Sequence, residues 1–187
     1  MGEIYIGTKF RTVFARRVVS GDERLGELLK WCRRWTALGL VGDTVGNLSF
    51  RTSNGFLINR TAGDLGGITR QEFVEVIQTD RERAELTVVG LYEPSSESMM
   101  HAGIYAVRPE INAVFHGHNE RLLAEAERLA LPITAGEQSY GTPELVAEIL
   151  KALNGHRFVI IRNHGFVSFG ATMEETGRLT EEILRRI

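Results

Sequence analysis

Residues 111–118 read Ile111-Asn112-Ala113-Val114-Phe115-His116-Gly117-His118. A short apolar run that follows Arg108-Pro109 reads as a buried strand. Residues i and i+2 of a strand point to one face, so His116 and His118 stand side by side where the strand ends. Gly117 between them has no side chain and lets the backbone bend. Two imidazoles so placed can reach one ion at roughly 2.0–2.1 Å each. The plainer alternative is two polar residues at the surface end of a strand.

Downstream, residues 119–130 carry an amphipathic helical pattern. Thr142 caps a further helix, with Pro143 at its first position and Gly155 past its end. Residues 158–161 form a buried strand, Asn163-His164-Gly165 a tight turn, and residues 166–169 another strand. Thr172-Met173-Glu174-Glu175 is a capping box that starts the last helix.

Upstream, Pro94-Ser95-Ser96-Glu97 opens a helix that runs to about Val107, with Glu97 in its first turn. Residues 86–91 read as a strand. Thr69-Arg70-Gln71-Glu72 is another capping box and predicts a helix from near residue 70. Residues 44–60 read as strand, turn, strand, with Ser53-Asn54-Gly55 as the hairpin turn. Leu25, Leu28, Leu29, Cys32 and Trp35 form the apolar stripe of a helix, capped from Ser20 to Asp22 and ended by Gly39. Before it, Ile4, Ile6 and Val13 suggest an extended arm or strand within residues 1–20. The expected organisation is that arm followed by one domain over residues 21–187. Its fold class is α/β, a mixed, largely antiparallel sheet covered by helices.

The whole chain limits the function classes. A length of 187 residues suits one domain with a sizeable core. With 43% hydrophobic and 25% charged residues the composition is that of a globular protein, not a disordered one. The net charge of −2 and the lack of a basic stripe argue against nucleic-acid binding. Cys32 is the single cysteine, so no intramolecular disulfide can form, which fits a reducing compartment. Among Leu28, Leu29 and Trp35 it reads as a small buried hydrophobe. No signal-peptide-like stretch opens the sequence and no run of about 18 apolar residues occurs, so neither secretion nor membrane insertion is expected. The expected location is the cytoplasm.

Five further residues could join the chemistry. His164 lies in a turn between two apolar strands, a rigid mount for a ligand; otherwise it hydrogen-bonds its own turn. Three histidines with a vacant position form an open catalytic metal site. Ser95 and Ser96 at a helix start suit an anion such as phosphate. Glu97 beside them is either an acid–base group or an ordinary carboxylate favoured by the helix dipole. His101, one turn later on the same helix face, either supports Glu97 or the metal, or is a buried histidine satisfied by hydrogen bonds. His156, in a loop, reads as a surface residue. Gly42-Asp43-Thr44-Val45-Gly46-Asn47 is a turn able to offer backbone N–H groups to an oxyanion. It lacks the lysine-bearing nucleotide pattern.

Gly46-Asn47-Leu48-Ser49, Pro94-Ser95-Ser96-Glu97, His116-Gly117-His118 and Asn163-His164-Gly165 follow one another in the order found in class II aldolases. Over roughly residues 22–187 the chain resembles the fuculose-phosphate aldolase branch of the class II aldolase/adducin family, which also holds epimerases, dehydratases and the adducin head domain. The resemblance implies a three-layer α/β/α fold. It implies that His116, His118 and His164 hold Zn2+ or another divalent transition metal, and that Glu97 moves a proton. It places a sugar phosphate against Asn47, Thr61, Ser95 and Ser96, and it implies a homotetramer. The metal would polarise a carbonyl and stabilise an enediolate while Glu97 exchanges the proton on the adjacent carbon.

The chain also departs from that pattern. Val45 stands where sugar-phosphate aldolases commonly carry serine, and Thr61-Ala62 replaces Thr-Gly, with Arg60 beside it. The segment between His118 and Thr142 is short. Tyr140 is the candidate for the proton donor carried by a longer segment in fuculose-phosphate aldolase; packing before the Gly141-Thr142-Pro143 turn is its alternative role. The expected activity is a lyase acting on a small sugar phosphate or related hydroxycarbonyl compound. The alternatives are a metal-dependent dehydratase, and a non-catalytic binding module of the adducin kind.

Overall fold

The computed structural model describes residues 7–42 and 44–187. Ile4, Ile6 and Asp43 therefore lie outside the described residues. Strand β1 (Arg11–Arg16) precedes helix α1 (Leu25–Ala37) and the hairpin of β2 (Asn47–Arg51) and β3 (Phe56–Asn59). Then come β4 (Phe73–Asp80), β5 (Glu85–Val89), α2 (Ser98–Val107) and β6 (Ala113–Gly117). The chain continues through α3 (Glu120–Ala124), α4 (Pro143–Leu153), β7 (Phe158–Ile161), β8 (Gly165–Gly170) and α5 (Met173–Leu184).

The eight strands form one sheet in the order β1-β5-β4-β3-β2-β6-β8-β7. All neighbours are antiparallel except β1 and β5. Both faces are apolar, so both must be covered. Trp31 and Trp35 of α1, Leu122 of α3 and Ile183 of α5 pack with Phe115 and Phe166 on one face. Met100 and Ile104 of α2 pack with Leu145 and Ile149 of α4 and with Val114 and Val167 on the other. Neighbouring residues of β6, Val114 and Phe115, thus serve opposite cores, as the two-residue period of a strand requires. The Trp35 indole meets the edge of Phe115 with ring centroids 5.2 Å apart. The result is the three-layer α/β/α arrangement with a mixed, largely antiparallel sheet. Among the described residues no helix is long and apolar enough to cross a membrane.

Two helices differ from the sequence expectation. The capping box at Thr69 forms, with Glu72 accepting from the Thr69 backbone N–H at 3.0 Å. It opens only a 3-10 turn over Arg70–Glu72, and the chain then enters β4. The sequence Phe73-Val74-Glu75-Val76-Ile77 is rich in β-branched residues, and its pairing with both β3 and β5 overrides a helix start. The helix expected over residues 119–130 is only the short α3, capped by Asn119, whose Oδ1 accepts from Leu122 N at 2.9 Å. Residues 125–130 continue only as turns, and Ala130, at a φ of +51° ahead of Leu131-Pro132, bars any helix beyond them. At α1 the Asp22 side chain holds the approach turn through Arg24 N at 2.9 Å, and the cap position itself, Arg24, has no side-chain cap bond.

Candidate metal centre and its cavity

β6 and β8 are neighbours with Gly117 opposite Phe166, so the end of β6 lies beside the start of β8. His118 leaves the first of these and His164 enters the second. The two motifs meet because the strands pair. Two glycines permit the approach. A Cβ on Gly117 would lie 2.7 Å from the Leu40 carbonyl oxygen and 2.9 Å from the Phe166 ring. A Cβ on Gly165 would lie 2.5 Å from the Gly117 carbonyl oxygen and 3.1 Å from His116 Cε1. The turn before Gly165 is held by Asn163, at φ +58°, whose Nδ2 donates to Glu137 Oε2 at 2.7 Å.

His116, His118 and His164 each offer one ring nitrogen, and these three atoms lie within 4.8 Å of one another. His116 Nε2 is 3.0 Å from His118 Nε2. His116 Nδ1 is 2.8 Å from the Phe166 carbonyl oxygen. That bond requires the proton on Nδ1, which leaves the Nε2 lone pair turned to the other rings.

Glu97 completes the cluster. It is the cap residue of α2, one position ahead of the first helical turn in which it was expected. Its side chain makes no cap bond and turns to the histidines instead. Oε1 lies 3.1 Å from His164 Nε2 and Oε2 lies 3.0 Å from His116 Nε2. Burial by itself would raise the Glu97 pKa; the His116 and His164 rings outweigh it and hold the carboxyl well below the usual range. Burial, reinforced by His116 and His164, pushes His118 down to about 3, so its ring is neutral and able to act as a ligand.

This donor set fits a divalent ion. A neutral imidazole has one N–H, and His116 spends its own on Phe166. Three rings and a carboxylate therefore bring more lone pairs than protons to one point. Two ligand atoms about 2.0–2.1 Å from a shared ion sit roughly 3.0–3.4 Å apart, the spacing seen between His116 and His118.

The centre opens on a cavity of about 310 Å3. Glu97, His118 and His164 line one part of it, and Asn47, Thr61, Ser95, Ser96 and Tyr140 line the rest together with Arg60, Ala62 and Val45. Ala62 keeps a φ of +49°, so the Thr61-Ala62 turn holds a left-handed conformation that favours glycine. Arg60 is anchored by Glu72 Oε1 at 3.0 Å. Tyr140 donates its hydroxyl to the Gly7 carbonyl at 3.0 Å. His156 is exposed, and Cys32 is fully buried with its thiol pKa pushed up by burial.

The Asn47 side chain faces inward. Its Nδ2 donates to Glu97 Oε2 at 2.7 Å, and its Oδ1 lies 2.5 Å from His101 Nε2. His101 is fully buried, with both ring nitrogens in hydrogen-bond contact, as its buried-histidine reading expected. Burial first, with His116 adding to it, pushes its pKa down to about 3, and Glu97 opposes. Ser49 and Tyr105, not singled out from sequence, continue the chain of contacts at 2.7 Å and 2.8 Å. A signal for both existed: Ser49 is two residues past Asn47 on one strand face, and Tyr105 is four past His101 on one helix face.

The pattern that defines the "Class II Aldolase and Adducin N-terminal domain" family matches residues 26–186. A 5-methylthioribulose-1-phosphate/5-deoxyribulose-1-phosphate aldolase of Escherichia coli O45:K1 (strain S88 / ExPEC) is 27% identical over 165 residues, covering 80% of this chain and 75% of the relative. A methylthioribulose-1-phosphate dehydratase of Yersinia enterocolitica serotype O:8 / biotype 1B is 27% identical over 188 residues, covering 84% and 86%. Among solved structures, an L-fuculose 1-phosphate aldolase superposes with a TM-score of 0.76 at 24% identity, covering 89% of this chain and 84% of its own. The match spans α1 to α5 and takes in every motif that meets at the cavity, and on it the chain belongs to the class II aldolase and adducin N-terminal domain family.

Proposed function

We propose that this protein is a metal-dependent aldolase that cleaves or forms a carbon–carbon bond in a small sugar phosphate or related hydroxycarbonyl compound. His116, His118 and His164 hold Zn2+ or another divalent transition metal, and Glu97 is the acid–base. One observation carries the reading: three imidazole nitrogens and one buried carboxylate converge at the wall of a cavity large enough for a small substrate.

The ion, when bound, supplies a Lewis acid for a carbonyl oxygen. The chain's own residues do the rest. The reverse aldol step takes a proton from the hydroxyl beyond the breaking bond and places one on the carbon beside the carbonyl. Glu97, kept ionised and buried, accepts and returns the second of these protons. In the bond-forming direction Tyr140, which lines the same cavity, is the candidate that donates the proton to the new hydroxyl oxygen. Ser95, Ser96, Thr61 and the Gly46-Asn47 turn offer hydroxyls and backbone N–H groups to a phosphate.

A dehydratase reading uses the same groups and is favoured by the relative of that name. The zinc-loaded protein should be incubated with 5-deoxyribulose 1-phosphate and with 5-methylthioribulose 1-phosphate, and the products identified by NMR. An aldehyde together with dihydroxyacetone phosphate supports the aldolase. A product short of one water supports the dehydratase. Protein that takes up no metal and changes neither substrate points to an adducin-like binding module.

A further inference from the structure

A buried polar chain runs from Glu97 away from the cavity, through groups that the proton transfer itself does not use. Asn47, Ser49, His101 and Tyr105 are all buried. The direction of each hydrogen bond follows from the one before it. Asn47 Nδ2 donates to Glu97 Oε2 at 2.7 Å, since an amide nitrogen only donates. Asn47 Oδ1 is then the acceptor at the other end, and His101 Nε2 must carry a proton to fill the 2.5 Å contact. Burial keeps the His101 ring neutral, so it has one N–H and its Nδ1 accepts from Ser49 Oγ at 2.7 Å. Ser49 Oγ in turn accepts from the Tyr105 hydroxyl at 2.8 Å. Rotating the Asn47 amide would turn its carbonyl oxygen onto Oε2, acceptor against acceptor, so the amide has one orientation.

We propose that Asn47, His101, Ser49 and Tyr105 act as a positioning relay that fixes Glu97 Oε2 as a hydrogen-bond acceptor and leaves Oε1, on the His164 side, as the oxygen that works. The inference rests on Glu97 being the acid–base group. His101 is a positioning residue here, because it touches Asn47 and not the reacting atoms. A structural role alone would need the polar groups satisfied. It would not need a chain of one polarity ending on the one carboxylate at the centre.

The test compares native protein with His101→Gln and His101→Phe, with Tyr105→Phe as a milder break at the far end. Glutamine can still donate to Asn47 Oδ1. Phenylalanine keeps a ring against Phe56, on which His101 stacks with centroids 6.5 Å apart, and removes both nitrogens. Long-range proton–nitrogen NMR of the metal-free native protein at about pH 6–8 should find the His101 proton on Nε2. A proton on Nδ1 overturns the proposal. His101→Phe should bind Co2+ in the native ratio with shifted visible bands. It should exchange the dihydroxyacetone phosphate C–H into deuterated water about 10–100-fold more slowly at unchanged KM, and His101→Gln should return to within about threefold of native. A His101→Phe protein with native spectrum and native exchange sinks the relay alone, as does equal impairment of both His101 variants. Native protein that neither takes up Co2+ nor exchanges sinks the proposed function, and the relay with it.

Discussion

His164 Nε2 lies 3.1 Å from Glu97 Oε1 across 67 residues of sequence. One group enters a strand and the other precedes a helix. They meet because β8 pairs with β6 and α2 packs on the same sheet. That contact ties the candidate acid–base to the candidate ligands, and it orders the experiments.

His164→Ala should lose the roughly one equivalent of metal expected for the native protein while staying folded. His164 lines the cavity, so its truncation enlarges that space and does not open a separate void in the core. His116→Ala should lose the metal as well, but it also strips the Phe166 carbonyl of its donor, at a cost of about 1–3 kcal/mol. Plasma mass spectrometry and thermal melting read both effects. A full metal complement in either variant refutes the ligand assignment.

Glu97→Gln should keep the metal and slow proton exchange on dihydroxyacetone phosphate by at least about 100-fold. A glutamine carbonyl can still accept from Asn47, so the fold around it should hold. Unchanged exchange, followed by proton NMR in deuterated water, would remove Glu97 from the mechanism.

His101 makes stability depend on pH. Its folded pKa is pushed down to about 3 from an ordinary 6.5, so between these values the unfolded chain binds the proton and the native one does not. The contribution is complete above the unfolded value and is lost as pH falls through that window, by roughly 1.4 kcal/mol per unit. Metal-free native protein should therefore lose about 2 kcal/mol more than His101→Gln between about pH 6.5 and 5. His118 shifts in the same direction in both proteins and cancels in the difference. Urea titrations at the two pH values decide it, and parallel losses would show that His101 is not held neutral.

Gly165→Ala should weaken metal binding and cost about 1–3 kcal/mol, because its Cβ meets backbone, the Gly117 carbonyl oxygen, at 2.5 Å. Gly117→Ala should behave alike through Leu40 and Phe166. Gly26→Ala, in α1 with nothing within 4 Å of the added carbon, should be neutral or stabilising by up to about 1 kcal/mol. Urea midpoints and Co2+ titration separate the three. An undisturbed Gly165→Ala would mean that the two strands can part without harm to the centre.

Much of this protein was legible in its residues. The apolar run ending in His116-Gly117-His118 marked a strand with two histidines on one face, and the tight turn at His164 was visible from Asn163 and Gly165. The order of the motifs pointed to the family, and the alternation of elements pointed to a sheet under helices. These are local properties: they follow from side-chain period, turn chemistry and capping, which act over a few residues. What the chain did not reveal locally was which segments become neighbours. The capping box at Thr69 is real, yet β4 follows it, since pairing on both edges outweighs one turn of helix. Glu97 read as a residue of the first helical turn, and only the packing of α2 against the sheet turned it towards His116 and His164. Asn47 read as part of an anion-binding turn, and the strand that carries it directs its amide to Glu97 and His101. Strand neighbours are chosen by burying two apolar faces at once, a sum over the whole chain, so the centre they assemble exists only in the tertiary structure.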